Sequence, residues 1–172
     1  MSSDLRAYIR DIPDFPEPGI VFRDITPLLG HGPAFRQAID WLAGLYADSR
    51  LSAVVGIESR GFIFASPLAD RLGIGMVPVR KPGKLPADRH TEEYVLEYGS
   101  NILEIHRDAL AAGQRVAIVD DLLATGGTAV AAAKLVELTG AEVHALSFLI
   151  ELTELKGRDR LSHYRVDSLL RY

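Results

Sequence analysis

Two adjacent carboxylates, Asp120 and Asp121, close an apolar run just ahead of a Thr-Gly-Gly-Thr turn in the segment RVAIVDDLLATGGT, Arg115 to Thr128. A buried strand that ends in acids and passes through a glycine turn into a helix is where an open α/β sheet binds its ligands. Gly126 and Gly127 let the backbone approach an anion. Together with Ala124, the hydroxyls of Thr125 and Thr128 and the free N–H groups of the new helix, they form a phosphate cradle. The segment lacks the lysine of a G-x-x-x-x-G-K-[ST] loop and the glycine spacing of G-x-G-x-x-G, so ATP and NAD lose their best sequence support. Two anions beside a phosphate repel it unless hydroxyl donors or a cation stand between them. A phosphorylated ribose meets that condition: its phosphate enters the cradle while two ring hydroxyls donate to the acceptor-only carboxylates. The alternative is that the aspartates only cap the loop and the glycines only turn it.

These groups need a scaffold, and the pattern around them supplies one. Arg115 to Val119 reads as a buried strand, Thr128 to Thr139 as the helix after it, ended by Gly140, and Glu142 to Ile150 as the next strand. Upstream, Pro33 to Ser49 is an amphipathic helix with Phe35, Ile39, Leu42 and Tyr46 on one face. Ser52 to Ile57 is a short buried strand, followed by the turn Glu58-Ser59-Arg60-Gly61, a helix to about Leu72, and a further strand over Ile74 to Arg80. Strands alternating with helices predict an α/β fold, one domain over 1–172 with a mostly parallel central sheet flanked by helices.

Three segments fall outside that alternation. Asp4 to Ile12 reads as a short helix capped by Ser2 or Ser3 and stopped by Pro13, and Phe15 to Leu29, rich in proline yet apolar, as a structured hood, the two filling 1–32. Lys81 to Thr91 has two prolines, a glycine and several charges, and reads as a mobile loop. Glu92 to Gly99 then alternates like one strand of an exposed hairpin, with Ile102 to Ile105 as its partner.

Composition narrows the chemistry. Hydrophobic residues are 48% and charged residues 24% of 172, ordinary for a folded domain. Nineteen Lys and Arg against 23 Asp and Glu give a net charge of -4, so no overall positive field draws the chain to nucleic acid or an acidic membrane. Without cysteine there are no disulfides, Cys-bound zinc, iron–sulfur clusters or thiol nucleophiles. The five histidines are scattered, and no cluster has transition-metal spacing. The charged N-terminal stretch is not a secretory signal, and no apolar run nears the roughly 20 residues that span a bilayer. A cytoplasmic protein without membrane contact is the expectation.

VDDLLATGGT, Val119 to Thr128, resembles the phosphate and ribose loop of the type I phosphoribosyltransferases. FPEPGIVFRDITPLL, GIESRGFIFASPLA, VPVRKPGKLP and EYVLEYG extend the resemblance over most of Phe15 to Ile150, toward the branch of that family that acts on adenine. One departure is Ser59, where the family more often has alanine; after Glu151 the match is looser. The resemblance implies transfer of the 5-phosphoribosyl group from phosphoribosyl diphosphate to N9 of adenine, giving AMP and diphosphate, in a homodimer. It implies Mg2+ carried mainly on the diphosphate substrate, with no protein side chain as metal ligand. Arg60, Lys81 and Lys84 would then meet the departing diphosphate, although from the residues alone the two lysines suit a solvated loop equally well. Val21, Phe22 and Arg23 would hold adenine, where core packing explains them as readily. Glu97 resembles the family's proton-handling carboxylate, and Tyr98 a lid residue, within an 81–99 lid that would exclude water; an exposed hairpin is the other reading.

Alternatives remain open at this level. The ribose-phosphate motif does not distinguish adenine from xanthine, guanine or orotate. A regulator that senses phosphoribosyl diphosphate would share it, although 172 residues at -4 leave little room for a DNA-binding part. A plain phosphate-binding module would need neither Arg60 nor the lysine loop.

Overall fold

The computed structural model describes residues 4–95 and 100–172. Five strands form the central sheet: β3 (Ala53–Ile57), β4 (Gly75–Val79), β7 (Arg115–Leu123), β8 (Glu142–Glu151) and β9 (Val166–Arg171), in the order β4-β3-β7-β8-β9 with every neighbouring pair parallel. Alternation along each strand feeds two cores. Ala53, Val55 and Ile57 of β3 and Val116 and Ile118 of β7 pack on one face with α4 (Gly127–Leu138). Val54, Ala117 and Val119 pack on the other with α2 (Gly32–Tyr46) and α3 (Gly61–Leu72). A sheet buried on both faces has near-continuous apolar strands, as these are.

From β3 the chain winds outward to β4, and from β7 it winds the opposite way to β8 and β9. The carboxyl ends of β3 and β7 therefore meet at a topological switch point, the place such sheets reserve for ligands.

Two smaller antiparallel pairs flank the sheet. One joins β5 (Arg89–Val95) to β6 (Ser100–His106); the other joins β1 (Arg10–Pro13) to β2 (Val21–Asp24). The second pair corrects the expected helix over Asp4 to Ile12. Only a single 3₁₀ turn forms, Leu5–Tyr8, capped by the Asp4 carboxylate, which accepts the Arg6 N–H at 3.0 Å. After Ile9 the backbone is recruited into β1, where the Arg10 guanidinium pairs with Asp24 of β2 at 2.7 Å, so strand pairing overrides local helix preference. The hood also holds a short helix, α1 (Thr26–Gly30), within its proline-rich stretch. The loop read over Lys81 to Thr91 ends early, since β5 begins at Arg89. β9 gives the segment after Glu151 a structural role, as the fifth strand. No described helix is long and apolar enough to cross a membrane.

Candidate active site

β7 runs further than its apolar core: it continues through Asp120 and Asp121 to Leu123, so both acids stand on a strand rather than in a loop. Neighbouring strand residues face opposite sides, and the two carboxylates differ accordingly. Asp121 is buried and takes the Arg60 Nε at 2.8 Å, whereas Asp120 is half-buried and accepts the backbone N–H of Asp121 at 2.8 Å. Loss of water contact pushes the Asp120 carboxyl well above the ordinary aspartate value, and the neighbouring Asp121 charge pushes it further. Asp121 is raised by burial too, against the pull of Arg60.

Beyond β7 the chain turns through Ala124 to Gly126 into α4. Gly126 has φ +84°, and no side chain caps the helix, so its first N–H groups are open toward the cavity. The turn is held tight from outside. A Cβ on Gly126 would lie 2.6 Å from the carbonyl oxygen of Gly157, and one on Gly157 would lie 2.1 Å from that of Ala124. Only two glycines allow this backbone-on-backbone contact. Gly157 buttresses the loop from the segment that matched its family only loosely, and no local pattern in the sequence marks it.

A cavity of about 510 Å³ opens over these groups, lined by Asp120, Asp121 and 124–128 on one side and by Glu58, Ser59, Arg60 and Lys81 on the other. Glu58 orients the basic side: its carboxylate accepts the Lys81 N–H at 2.9 Å and the Arg80 guanidinium at 3.2 Å. Burial alone would raise Glu58, but these donors outweigh it and hold the carboxyl below its usual range. Glu104, buried on β6, fixes the next turn by accepting the Gly83 N–H at 3.2 Å and Arg89 Nε at 2.9 Å. Tyr94 and Asn101 of the β5–β6 pair also line the cavity, and the Thr128 hydroxyl donates to the Tyr94 hydroxyl at 3.1 Å. Neither residue is assigned a role from sequence, since each lies in an exposed-looking hairpin.

The Phosphoribosyl transferase domain family matches residues 27–170 of the chain. An adenine phosphoribosyltransferase of Roseiflexus castenholzii is 62% identical over 172 residues, with the whole of each chain covered. The chain belongs to the adenine phosphoribosyltransferase family. Among solved structures, the adenine phosphoribosyltransferase of Thermoanaerobacter pseudethanolicus superposes with a TM-score of 0.95 at 54% identity, covering 98% of each chain. That of Saccharomyces cerevisiae, in complex with adenine and an imino-altritol bisphosphate, gives 0.91 at 42% identity over 96% of each chain. The α/β fold with its parallel sheet is thus the fold of this phosphoribosyltransferase family.

In this phosphoribosyltransferase the residues singled out from sequence fall into three groups. Asp120, Asp121, Ala124, Thr125, Gly126, Gly127, Thr128, Arg60 and Lys81 share the cavity; Lys84 is not among its lining residues, and its backbone carbonyl instead accepts the Arg80 guanidinium at 3.2 Å. Val21, Phe22 and Arg23 lie on β2, outside that lining. Phe22 reaches the site through Arg60, whose guanidinium carbon stands 5.5 Å from the ring centre. The Arg23 side chain turns the other way, to Asp11 and the Tyr172 ring. Glu97 and Tyr98 lie outside the described residues.

Proposed function

We propose that the protein transfers the 5-phosphoribosyl group of phosphoribosyl diphosphate to N9 of adenine, releasing AMP and diphosphate. One juxtaposition carries the reading: an uncapped helix N-terminus on Gly126–Gly127, a strand-end Asp120–Asp121 pair and the basic Arg60 and Lys81 line one cavity. The names of relatives at about 60% identity, adenine phosphoribosyltransferases, support the choice of base.

The helix N-terminus and the Thr125 and Thr128 hydroxyls receive the 5-phosphate. Asp120 and Asp121 accept the ribose hydroxyls, which removes the burial penalty these carboxylates carry when ionised. As the C1–oxygen bond breaks, its electron pair leaves with the diphosphate, and Arg60, Lys81 and the loop through Lys84 meet that charge. N9 of adenine forms the new bond to C1 and the base gives up a proton, the step assigned to Glu97 on its resemblance to the family's proton-handling residue. The backbone of Val21, Phe22 and Arg23 reads the amino edge of the purine, and the segment 81–99 closes over the site, with Tyr98 as a lid residue.

Among the described residues no group of three or more His, Asp or Glu could hold a metal ion. The oxygen donors of the cavity suit a hard cation that keeps most of its ligands on the substrate, with Asp120 and Asp121 acting through hydroxyls or water. Mg2+ so carried would neutralise charge on the departing diphosphate. A homodimer and a cytoplasmic site of action belong to the same reading, and the exposed Phe15, Ile20 and Val21 of the hood offer apolar surface for a second copy.

The test supplies phosphoribosyl diphosphate and Mg2+ with adenine, hypoxanthine, guanine, xanthine and orotate in parallel and follows nucleotide formation. AMP should form at least about 100-fold faster than any 6-oxo nucleotide, because the mismatch strands buried polar groups. Preferred use of another base would overturn the choice of adenine, and no nucleotide from any base would overturn transfer altogether.

A further inference from the structure

Tyr172, directly after β9, sits where three parts of the molecule meet. Its backbone is pinned to the end of the sheet: its N–H donates to Glu151 O at 3.0 Å, and its carbonyl accepts the Thr153 N–H at 2.8 Å and the Thr153 hydroxyl at 2.6 Å. Glu151 pairs with Leu123, and the Leu152 N–H donates to Leu123 O at 2.9 Å, so this anchor lies beside the strand end that opens into the Ala124–Gly127 loop. Its ring faces the hood. The guanidinium carbon of Arg23 stands 4.2 Å from the ring centre and that of Arg6 4.8 Å from it, while Arg6 also donates to Arg171 O at 2.7 Å.

Arg23 depends on that ring. Among the described residues its Nε–H is buried with no hydrogen-bond partner, and its ion pair to Asp11 runs across the β1–β2 pair and so does not tie the pair to the sheet. An aromatic face beside a desolvated guanidinium compensates such a group. Phe22, next along β2, alternates to the other side, where its ring lies against Arg60 and Arg60 pairs with Asp121. A contiguous path therefore runs from the Tyr172 ring through Arg23 and Phe22 to Arg60 at the cavity wall.

We propose that Tyr172 is a positioning residue for the purine end of the site: by holding Arg23 it fixes the β1–β2 pair on the sheet edge and so places the β2 backbone at Val21 to Arg23, while Arg60 keeps its own anchor on Asp121. This rests on the reading that adenine binds along β2, and it assigns Tyr172 no contact with substrate. Loss of the ring should weaken adenine binding while leaving the phosphate loop and the chemical step as they are.

The experiment compares wild type with Tyr172→Ala, Tyr172→Leu and Tyr172→Phe in steady-state kinetics with both substrates varied, alongside backbone hydrogen exchange. In the Ala and Leu variants the KM for adenine should rise about five- to tenfold, the scale of two lost cation–π contacts, with kcat and the KM for phosphoribosyl diphosphate within about twofold of wild type. The Phe variant, which keeps the ring, should stay within about twofold throughout. Exchange should quicken at 10–12 and 21–24 and stay unchanged in β7 and β8. Tyr172→Leu keeps apolar bulk, so a failure of the Ala variant to fold leaves the comparison intact. An unchanged adenine KM in the Leu variant, a parallel fall in kcat and both substrate affinities, or a Phe variant as impaired as Leu would each overturn the proposal. Wild type that forms AMP with these outcomes retains the transferase reading; wild type that forms no AMP loses that reading and this inference together.

Discussion

Asp120–Asp121 and Glu151 are buried or half-buried acids at the same end of the same sheet, on neighbouring strands, yet their surroundings are opposite. Glu151 receives two of the three guanidinium nitrogens of Arg158, at 2.8 and 2.6 Å, the Ser168 hydroxyl, and Arg171 at 3.3 Å. Arg158 chiefly holds its carboxyl down, to about 2, against the opposing effect of burial. The aspartates lie beside Arg60, which pairs with Asp121, and burial pushes their carboxyls up. A carboxylate whose lone pairs are filled from within stabilises the fold and has nothing to offer a ligand, whereas a pair left short of donors costs stability and binds whatever brings hydroxyls. The contrast separates structure from function within one row of acids.

The sharpest way to break the contrast is Asp121→Asn, which removes a charged acceptor for a ribose hydroxyl and the partner of Arg60. Transfer, measured as kcat/KM for phosphoribosyl diphosphate, should fall about ten- to hundredfold, the scale of a hydrogen bond to a charged group; wild-type rates would dissociate the pair from the sugar. Next in size is Arg158→Ala. It strips Glu151 of its main donor and should lower unfolding stability by about 2 kcal/mol at neutral pH, short of a fully stranded buried charge because Ser168 and Arg171 remain. Because the folded value of Glu151 lies near 2, below the ordinary 4.5, its ionised form contributes stability that is complete above about pH 4.5 and lost as pH falls toward 2. The gap between wild type and Arg158→Ala in denaturant melts should close over that window; a gap constant with pH would deny Glu151 the role.

The smallest effect has the opposite sign. Asp120→Asn relieves repulsion and should raise stability of the unliganded protein by about 1 kcal/mol at neutral pH while impairing transfer. The folded value of Asp120 is raised, so its neutral form is the favoured one and stability drains away as pH rises through that value. The gain from Asn should therefore shrink toward acid pH, and a destabilised Asn variant would show that Asp120 is a structural acid after all.

Legibility in the sequence followed locality. Asp120, Asp121 and the loop to Thr128 lie on one continuous segment, so their types and spacing announced a strand end, a turn and a helix start before any contact was known. The helix expected over Asp4 to Ile12 failed for the complementary reason: Arg10 to Pro13 is a strand because Val21 to Asp24, beyond a proline-rich turn, pairs with it. Gly157 could not be found at all, since its demand for a bare Cα comes from Ala124 and Gly126 more than thirty residues earlier in the chain.

The sequence by itself determined the alternating α/β order, the acidic strand end and the glycine turn, because each depends on periodicity or on residues within a few positions. Tertiary structure alone decided which acids are satisfied and which are left wanting, that Arg23 faces Tyr172 rather than the cavity, and that the turn at Gly157 supports the phosphate loop. Those outcomes depend on donors and close approaches supplied from distant segments, and no local pattern records where a folded chain will bring them.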